Sequence, residues 1–183
     1  MSNKKAVVFL ADGFEECEAL IVVDILRRAG VETITASVMG RPEAESTHNI
    51  IVKADAQAEN IDFSDVDVIV LPGGRLGTEN LGKSDIVTAQ CRTFAAEKLL
   101  AAICAAPSLP AELGLLEGKK ATCHPAFENR MAGTVLTREG VTKDGNIITG
   151  QGLGATFEFA FELVRILAGE EKVQQIKTAI CYK

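Results

Sequence analysis

The stretch that most constrains this chain is an apolar run that ends in a cysteine. Leu99–Ile103 reads LLAAI, and after Cys104 two small residues, Ala105 and Ala106, lead to Pro107 and a helix-like segment. A buried strand that ends in a nucleophile and turns sharply into a helix is the layout of a nucleophile elbow. Pro107 suits a first helical turn, because its missing N–H would have no partner there. The stretch is typical either of such an elbow or of a buried, inert cysteine, since free cysteine is among the most buried residue types.

The composition indicates one globular domain over residues 1–183. Hydrophobic residues make up 47% of the chain and charged residues 24%, which is typical of a globular protein with a sizeable core. The net charge of −6 argues against a nucleic-acid-binding surface. No apolar run reaches the length of a membrane span, and the short N-terminal run leads into acidic residues rather than a signal-peptide cleavage site. We therefore expect a cytoplasmic protein with no nucleic-acid or membrane partner.

The cysteines occur at irregular spacing and form no CxxC pair. There are five of them: Cys17, Cys91, Cys104, Cys123 and Cys181. Neither a structural zinc site nor a dithiol redox motif is therefore expected, and we predict no metal site. In a reducing compartment all five should be free thiols, so the question is which of them is reactive.

Strand-like and helix-like segments alternate along the chain. The main predicted strands are Lys5–Ala11, Val31–Val38, Asp67–Leu71, Leu99–Ile103 and Asn146–Thr149, and the main predicted helices are Glu15–Ala29, Ser84–Lys98, Ser108–Leu113, Ala155–Ala168 and Glu171–Thr178. This alternation predicts an α/β sandwich with a mainly parallel sheet. Ligands of such sheets bind at the carboxyl ends of the strands, where the loops 12–18, 72–77, 104–107 and 123–125 should meet.

Cys104 must be a thiolate to attack a substrate, and a free thiol is only about 3% ionised near neutral pH. Lowering its pKa by about three units needs roughly 4 kcal/mol, more than a helix N-terminus supplies. A protonated carboxylic acid could be the additional donor, and three glutamates follow the first strand: Glu15, Glu16 and Glu18. We interpret Glu15 as a solvated residue that helps the helix start. Glu16 and Glu18 lie two positions apart on the helix, so we expect one to point into the cleft and the other to be exposed.

Glycines and histidines supply the other candidate groups. Gly73 and Gly74 follow a predicted strand and form either a plain turn or an oxyanion hole, in which glycine lets backbone N–H groups approach closely. His124 stands where a general base for Cys104 could lie, although a lone histidine is more often structural. His48 lies in a polar loop, where a plain surface role is the default.

Taken together these residues resemble the ThiJ/PfpI superfamily and, within it, the clade of the parkinsonism-associated deglycase, DJ-1. The matching segments are ADGFEECEAL (11–20), VDILRRAG (23–30), DVIVLPGG (67–74), LGTENL (76–81), AAICAAPSLPAELGLLEGKKAT (101–122), HP (124–125) and GQGLGATFEFAFELVRILAGEE (150–171). They span nearly the whole chain in the family's order. The joint signal is strong although no single motif would be.

The resemblance implies a flavodoxin-like, three-layer α/β/α sandwich that forms a homodimer. It implies that Cys104 is the peroxide-sensitive nucleophile on the elbow and that Glu18 is the protonated acid bonded to it. Gly73, Gly74 and the Ala105 backbone would line the anion site, with His124 nearby. The implied activity needs no cofactor and acts on small carbonyl substrates, converting methylglyoxal or glyoxal to hydroxyacids, and deglycation of early glycation adducts is also reported in the family.

Departures from the family pattern bear on the alternatives. The protease-like branch has a histidine directly after the nucleophile, where this chain has Ala105, which argues against peptidase action. Relatives often carry an arginine where this chain has His48, so His48 and Arg28 are the candidate anion contacts. A redox sensor or chaperone would use the same residues as the enzyme. An amidotransferase-like subunit ranks last, because no histidine follows residue 150.

The first helix and the nucleophile give two further expectations. The predicted core stripe of the helix is Ala19, Leu20, Val22, Val23 and Leu26, and Ile21 and Ile25 add apolar surface to it. These two additional apolar side chains either widen the core stripe or, as the resemblance favours, contribute to a dimer interface on or near this helix. For Cys104 we expect the only strongly lowered pKa among the five cysteines.

Overall fold

The computed structural model describes residues 4–183, which form a seven-stranded sheet flanked by helices. The strands are β1 (Lys5–Leu10), β2 (Glu32–Ser37), β3 (Glu43–Glu45), β4 (Ile51–Lys53), β5 (Ala56–Gln57), β6 (Val68–Leu71), β7 (Leu99–Ile103), β8 (Lys120–Ala121), β9 (Val135–Leu136), β10 (Val141–Asp144) and β11 (Ile147–Gly150). The helices are α1 (Glu16–Arg28), α2 (Arg75–Gly82), α3 (Asp85–Glu97), α4 (Ser108–Glu112), α5 (Thr156–Ala168) and α6 (Glu170–Ala179). Short 3₁₀ helices cover Ala58–Asn60, Pro125–Arg130 and Leu153–Ala155.

The sheet is almost entirely parallel, which confirms the prediction from the alternating segments. Its strand order is β10-β11-β7-β6-β1-β2-β5, and only the β10–β11 pair is antiparallel. Strands β3 and β4 form a separate antiparallel hairpin, and β8 pairs with β9. Because β1, β6, β7 and β11 run in the same direction, the segments that follow them meet at one edge of the sheet.

The sheet has a hydrophobic core on each face. Along β1, Ala6, Val8 and Leu10 point into the core beneath α1, α5 and α6, whereas Val7 and Phe9 point into the core beneath α3 and α4. This alternation follows from the two-residue period of a strand. The three-layer sandwich predicted from sequence is therefore confirmed.

Helix α1 begins and ends close to the predicted positions, but the prediction that Leu20 belongs to its core stripe is wrong. Leu20 is 38% exposed, whereas Val22 and Ile25 are completely buried. The helix packs against β2 and α5, and that contact turns the face carrying Val22 and Ile25 inward. Ile25, which the sequence left as surplus, thus belongs to the core, and Leu20 belongs to the surface.

Two elements differ from the sequence expectations. The polar loop expected around His48 is the turn of a hairpin formed by β3 and β4, and residues 75–77 of the expected 72–77 loop form the first turn of α2. Within residues 4–183 no helix combines the length and the apolar character needed to cross a membrane.

Candidate active site

Cys104 sits on a sharp turn directly after β7. Its φ of 65° lies in the left-handed region, which a residue with a side chain adopts only under constraint from its surroundings. Two backbone hydrogen bonds of 2.9 Å hold it there, from Cys104 N to the Gly150 carbonyl and from His124 N to the Cys104 carbonyl. The half-buried thiol therefore stands on a constrained elbow.

The two glycines after β6 are required by the crowding around Cys104. A Cβ on Gly73 would overlap the Glu18 carboxylate and lie 2.6 Å from the Cys104 Cβ. Gly74 has a φ of 89°, and a Cβ there would overlap the Gly13 carbonyl oxygen. The pair thus lets the backbone pass between the carboxyl group and the thiol, which a plain turn would not require.

The N–H groups of the predicted anion site have different partners. Gly73 N donates to Glu18 Oε2 at 2.9 Å, so this N–H is committed to the carboxyl group. The N–H groups of Gly74 and Ala105 instead lie near the Cys104 sulfur and lower the pKa of its thiol. Of the three N–H groups expected to bind an anion, those of Gly74 and Ala105 thus face the sulfur, and that of Gly73 binds the Glu18 carboxyl group.

Glu18 is the carboxyl group that points into the site, where it lines the cavity together with Cys104. It is only 1% exposed, and burial raises the pKa of its carboxyl to about 7. Oε2 accepts the Gly73 N–H, whereas Oε1 is buried without a hydrogen-bond partner that meets normal geometry. Oε1 is therefore the oxygen suited to carry the proton.

Cys104 and Glu18 compete for one proton. Burial, followed by the negative charge of an ionised Glu18, raises the pKa of the Cys104 thiol to about 12, although the Gly74 and Ala105 N–H groups lower it. The prediction of a strongly lowered pKa for Cys104 is therefore wrong when Glu18 is ionised. Helix α4 has only five residues, so the positive end of its dipole does not offset the charge of Glu18. When the proton is on Glu18, the repulsion disappears and the acid can donate to a thiolate. The two groups therefore titrate as a pair.

Glu16, expected to be exposed if Glu18 faced the cleft, is also buried. It is 8% exposed, and its Oε1 lies 2.6 Å from His48 Nδ1. Burial alone would raise the pKa of Glu16, but hydrogen bonds from its own backbone N–H and from His48 bring that pKa below its ordinary value. The pair could not be predicted from the sequence, because His48 comes from the turn between β3 and β4.

His124 caps the 3₁₀ helix Pro125–Arg130. Its Nδ1 accepts the Ala126 N–H at 3.2 Å. A nitrogen that accepts this bond carries no hydrogen, so the neutral ring carries its hydrogen on Nε2. His124 can therefore donate a hydrogen bond from Nε2, and this arrangement does not favour the general-base role considered from sequence.

These groups surround a cavity of about 730 Å³ at the predicted edge of the sheet. Its lining includes Glu15, Glu18, His48, Cys104, His124, Pro125, Gly140 and residues 151–155. Glu15, read from sequence as a solvated helix starter, accepts the Glu18 N–H at 2.7 Å and caps α1. Arg28 lies instead in the last turn of α1, where it pairs with Asp24 at 2.7 Å. The structure thus brings His48 to the cavity but not Arg28.

Cys104 differs from the other cysteines in its setting. Cys91 and Cys123 are buried, and burial raises the pKa of these thiols to about 12 and about 11. Cys17 and Cys181 are exposed. Of the five, all within the described residues, Cys104 alone lines the cavity.

One group of side chains in the described part of the chain has the spacing of metal ligands. Glu15, Glu16 and His48 each offer one ligand atom, and these atoms lie within 4.8 Å of one another. Glu16 and His48 already share a hydrogen bond, so a cation would have to displace the hydrogen on His48 Nδ1. The absence of a metal site stays a prediction from sequence.

Comparisons with known proteins find relatives along nearly the whole chain. The family model described as the DJ-1/PfpI family matches residues 4–166. Parkinson disease protein 7 homolog of Danio rerio is 37% identical over the full length of both chains, and Protein dj-1beta of Drosophila melanogaster is 36% identical over 95% of each. The crystal structure of the Drosophila protein superposes with a TM-score of 0.93 at 35% identity, covering 99% of both chains.

A more distant relative carries an activity in its name. Glutathione-independent glyoxalase DJR-1.2 of Caenorhabditis elegans is 26% identical over 98% of this chain and 97% of its own length. The structural match supports the flavodoxin-like sandwich that the sequence predicted. Since the family model spans most of the sequence and the relatives match along its full length, the chain belongs to the DJ-1/PfpI family.

Proposed function

We propose that this protein is a cofactor-free enzyme that uses Cys104 to convert small α-oxoaldehydes, such as methylglyoxal and glyoxal, to hydroxyacids. The observation that carries the proposal is the pairing of a constrained, cavity-facing thiol with a buried carboxyl group whose pKa is raised to about 7. Such a carboxyl group can hold and transfer a proton near neutral pH. The name of the Caenorhabditis relative, a glutathione-independent glyoxalase, supports the same chemistry.

The first half of the reaction joins the substrate to the enzyme. The Cys104 thiolate attacks the aldehyde carbon of methylglyoxal, forming a carbon–sulfur bond and a hemithioacetal. Glu18 supplies a proton, and a hydrogen moves from the former aldehyde carbon to the neighbouring carbon. The aldehyde carbon is thereby oxidised to a thioester and the ketone carbon reduced to an alcohol, so no external oxidant or reductant is consumed.

The second half releases the product. Water attacks the thioester carbon, the carbon–sulfur bond breaks, and lactate leaves while Cys104 returns to a thiolate. Glu18 recovers one proton in this step. The same initial attack on a carbonyl carbon would serve the deglycation of glycated proteins, so the site is compatible with that activity as well.

A redox-sensing or chaperone role is the second candidate, because one observation favours it. The Gly74 and Ala105 N–H groups lie near the sulfur and lower the pKa of its thiol, and a protonated Glu18 would add a third donor. Three donors around one sulfur would also stabilise the oxygens of a sulfinate formed by peroxide. In that case turnover would be incidental to oxidation of Cys104.

We also propose that the protein is a cytoplasmic homodimer with α1 at or near the interface. Leu20 of α1 and Ile50 and Ile51 at the β3–β4 hairpin are between 38% and 67% exposed. Large apolar side chains left at the surface are a feature of contact sites. Light scattering at micromolar concentration should give twice 19.5 kDa, and a monomer that keeps full turnover would contradict any dependence of the site on dimerisation.

A lactate assay on purified protein tests the main proposal. The protein is treated with chelator and mixed with methylglyoxal, and lactate is measured for the wild type and for Cys104→Ser. We expect steady lactate formation by the wild type and none by the variant. Oxidation of Cys104 by peroxide without any lactate formation would contradict the enzyme proposal and favour the sensor.

A further inference from the structure

The two histidines of this chain both line the cavity, but their ring nitrogens are used in opposite ways. His48 Nδ1 faces a carboxylate oxygen, whereas His124 Nδ1 accepts a backbone N–H. In a neutral imidazole one nitrogen donates and the other accepts, so the partner of Nδ1 decides what Nε2 can do. The two rings therefore offer different chemistry to the cavity.

On His48, the free nitrogen is the basic one. Its partner Glu16 is 8% exposed, and hydrogen bonds bring the pKa of that carboxyl below its ordinary value, although burial acts against them. A carboxylate only accepts, so His48 Nδ1 carries the hydrogen and Nε2 carries a lone pair. A carboxylate in this position also stabilises the imidazolium that forms when Nε2 takes up a proton.

On His124, the free nitrogen is the donor. The Ala126 N–H can only donate, so Nδ1 accepts and Nε2 carries the hydrogen. His124 can stabilise a negatively charged oxygen in the cavity, but it cannot take a proton at Nε2 while that bond persists. Of the two histidines, His48 is the one prepared to act as a base.

The proton balance of the proposed reaction calls for such a base. Hydrolysis of a lactoyl thioester gives lactate and the Cys104 thiolate and releases two protons. Glu18 takes back one of them, and as a single carboxyl group it can hold no more. The other proton must pass to a different acceptor and from there to solvent. The His48 side chain is 69% exposed and also lines the cavity. It therefore contacts both the cavity and the solvent.

Building on the proposed function, we propose that His48, oriented by Glu16, accepts the proton of the water that hydrolyses the Cys104 thioester and passes it to solvent. The water oxygen bonds to the thioester carbon as its hydrogen moves to His48 Nε2. The carbon–sulfur bond then breaks, the sulfur leaves as a thiolate, and the hydroxyl proton of the new acid goes to Glu18. His48 releases its proton to bulk water, and Glu16 acts as a positioning residue.

Accumulation of the thioester tests the proposal. The purified wild type, His48→Gln and Glu16→Gln are mixed with methylglyoxal, quenched with hydroxylamine, which cleaves thioesters to hydroxamates, and assayed for lactohydroxamate and lactate. We expect His48→Gln to accumulate lactoyl thioester on Cys104 while its kcat falls about 10²-fold, with partial rescue by added imidazole. Glu16→Gln should lower kcat less and leave KM unchanged. Lys53→Gln, exposed on β4, is the matched control and should behave like the wild type.

The alternative outcomes separate this inference from the proposed function. Wild-type turnover by His48→Gln, with no thioester accumulation, would overturn the role of His48 and leave the enzyme proposal intact. Absence of lactate from the wild type would overturn both. Nitrogen-15 NMR of the imidazole rings gives a readout that does not depend on turnover, and His48→Gln assigns the signals, because the chain has two histidines. Hydrogen on Nδ1 of His48 and on Nε2 of His124 is expected, and hydrogen on Nε2 of His48 would overturn the inference.

Discussion

Two glutamates at the start of α1 show how neighbouring positions acquire opposite chemistry. Glu16 and Glu18 are both buried, at 8% and 1% exposure. The pKa of Glu18 is raised to about 7 because burial outweighs the hydrogen bonds it receives. The pKa of Glu16 is lowered, although burial acts on it too, because its own backbone N–H and His48 donate to it. Burial alone therefore does not decide the charge of a carboxyl group, and the number and charge of its donors do.

The difference assigns the two carboxyl groups to different tasks. In the proposed reaction, Glu18 is the acid that shares a proton with Cys104, and Glu16 is the carboxylate that orients His48. Carboxyl groups whose environments push their pKa values apart are how an active site separates acid from base roles.

The largest effect should come from removing the proton-sharing pair itself. Cys104→Ser removes the nucleophile and Glu18→Ala removes the acid beside it, so lactate formation from methylglyoxal should fall below detection in both variants. Glu16→Gln keeps both groups and should retain measurable turnover in the same assay. If Glu16→Gln lost activity as completely as Glu18→Ala, the two carboxyl groups would not have separate roles.

The two carboxyl groups should also affect stability with opposite pH dependence. Glu18 has a folded pKa of about 7 against an ordinary value of 4.5, so its stabilising contribution is present below pH 4.5 and lost as the pH rises through 7. Relative to Glu18→Gln, the wild type should therefore lose about 3 kcal/mol of unfolding free energy between pH 4 and pH 8. Urea unfolding at a series of pH values measures this difference.

For Glu16 the contribution to stability depends on pH in the opposite direction. Its pKa is lowered in the folded state, so its contribution is present above the ordinary value and lost as the pH falls through the folded value. The wild type should be more stable than Glu16→Gln at pH 7, and the advantage should shrink in acid. Difference curves of the same slope for Glu16→Gln and Glu18→Gln would contradict the comparison.

A methyl group at Gly73 should disturb Glu18 and leave Glu16 in place. The added Cβ would overlap the Glu18 carboxylate and crowd Cys104, so we expect Gly73→Ala to lose about 1–3 kcal/mol of stability and most of its turnover. Gly154→Ala is a matched control at the same cavity, since a Cβ there meets nothing within 4 Å. Equal behaviour of the two variants in thermal unfolding and lactate assays would show that Gly73 does not shape the pair.

The smallest effect is expected at His124. His124→Ala removes one donor from the cavity, worth about 1 kcal/mol, so turnover should drop about fivefold and remain measurable. Steady-state kinetics with methylglyoxal distinguish this from a loss as deep as that of Glu18→Ala. A loss of that depth would instead assign His124 to a working cysteine–histidine pair.

Much of the fold could be predicted from local patterns. The buried strand Leu99–Ile103 and the helix near Ser84 could be predicted because apolar spacing and helix capping act over a few residues. In the structure Ser84 accepts the Val87 N–H and caps α3. The exposure of Leu20 could not be predicted in the same way. An apolar side chain carries no sign of which helix face α5 will cover.

Part of the candidate site could also be predicted from the sequence. The family resemblance named Cys104 and Glu18, and the structure brings both to one cavity. The burial of Glu16 could not be predicted because its partner His48 lies 32 residues away in the sequence. The polar composition around His48 does not indicate the β3–β4 hairpin that brings it to Glu16. The direction of the Cys104 pKa could not be predicted, because it depends on the charge of Glu18, which burial and the surrounding hydrogen bonds set together in the folded protein.

Carbon-13 NMR of the glutamate carboxyl groups tests whether Glu18 holds its proton near neutral pH while Glu16 does not. The signals of the two residues are assigned with Glu16→Gln and Glu18→Gln and followed from pH 3 to pH 9. We expect Glu18 to titrate near pH 7, coupled to Cys104 and altered in Cys104→Ser, and Glu16 to titrate below 4.5. Titration of both carboxyl groups together near their ordinary value, or of Glu16 above Glu18, would contradict it.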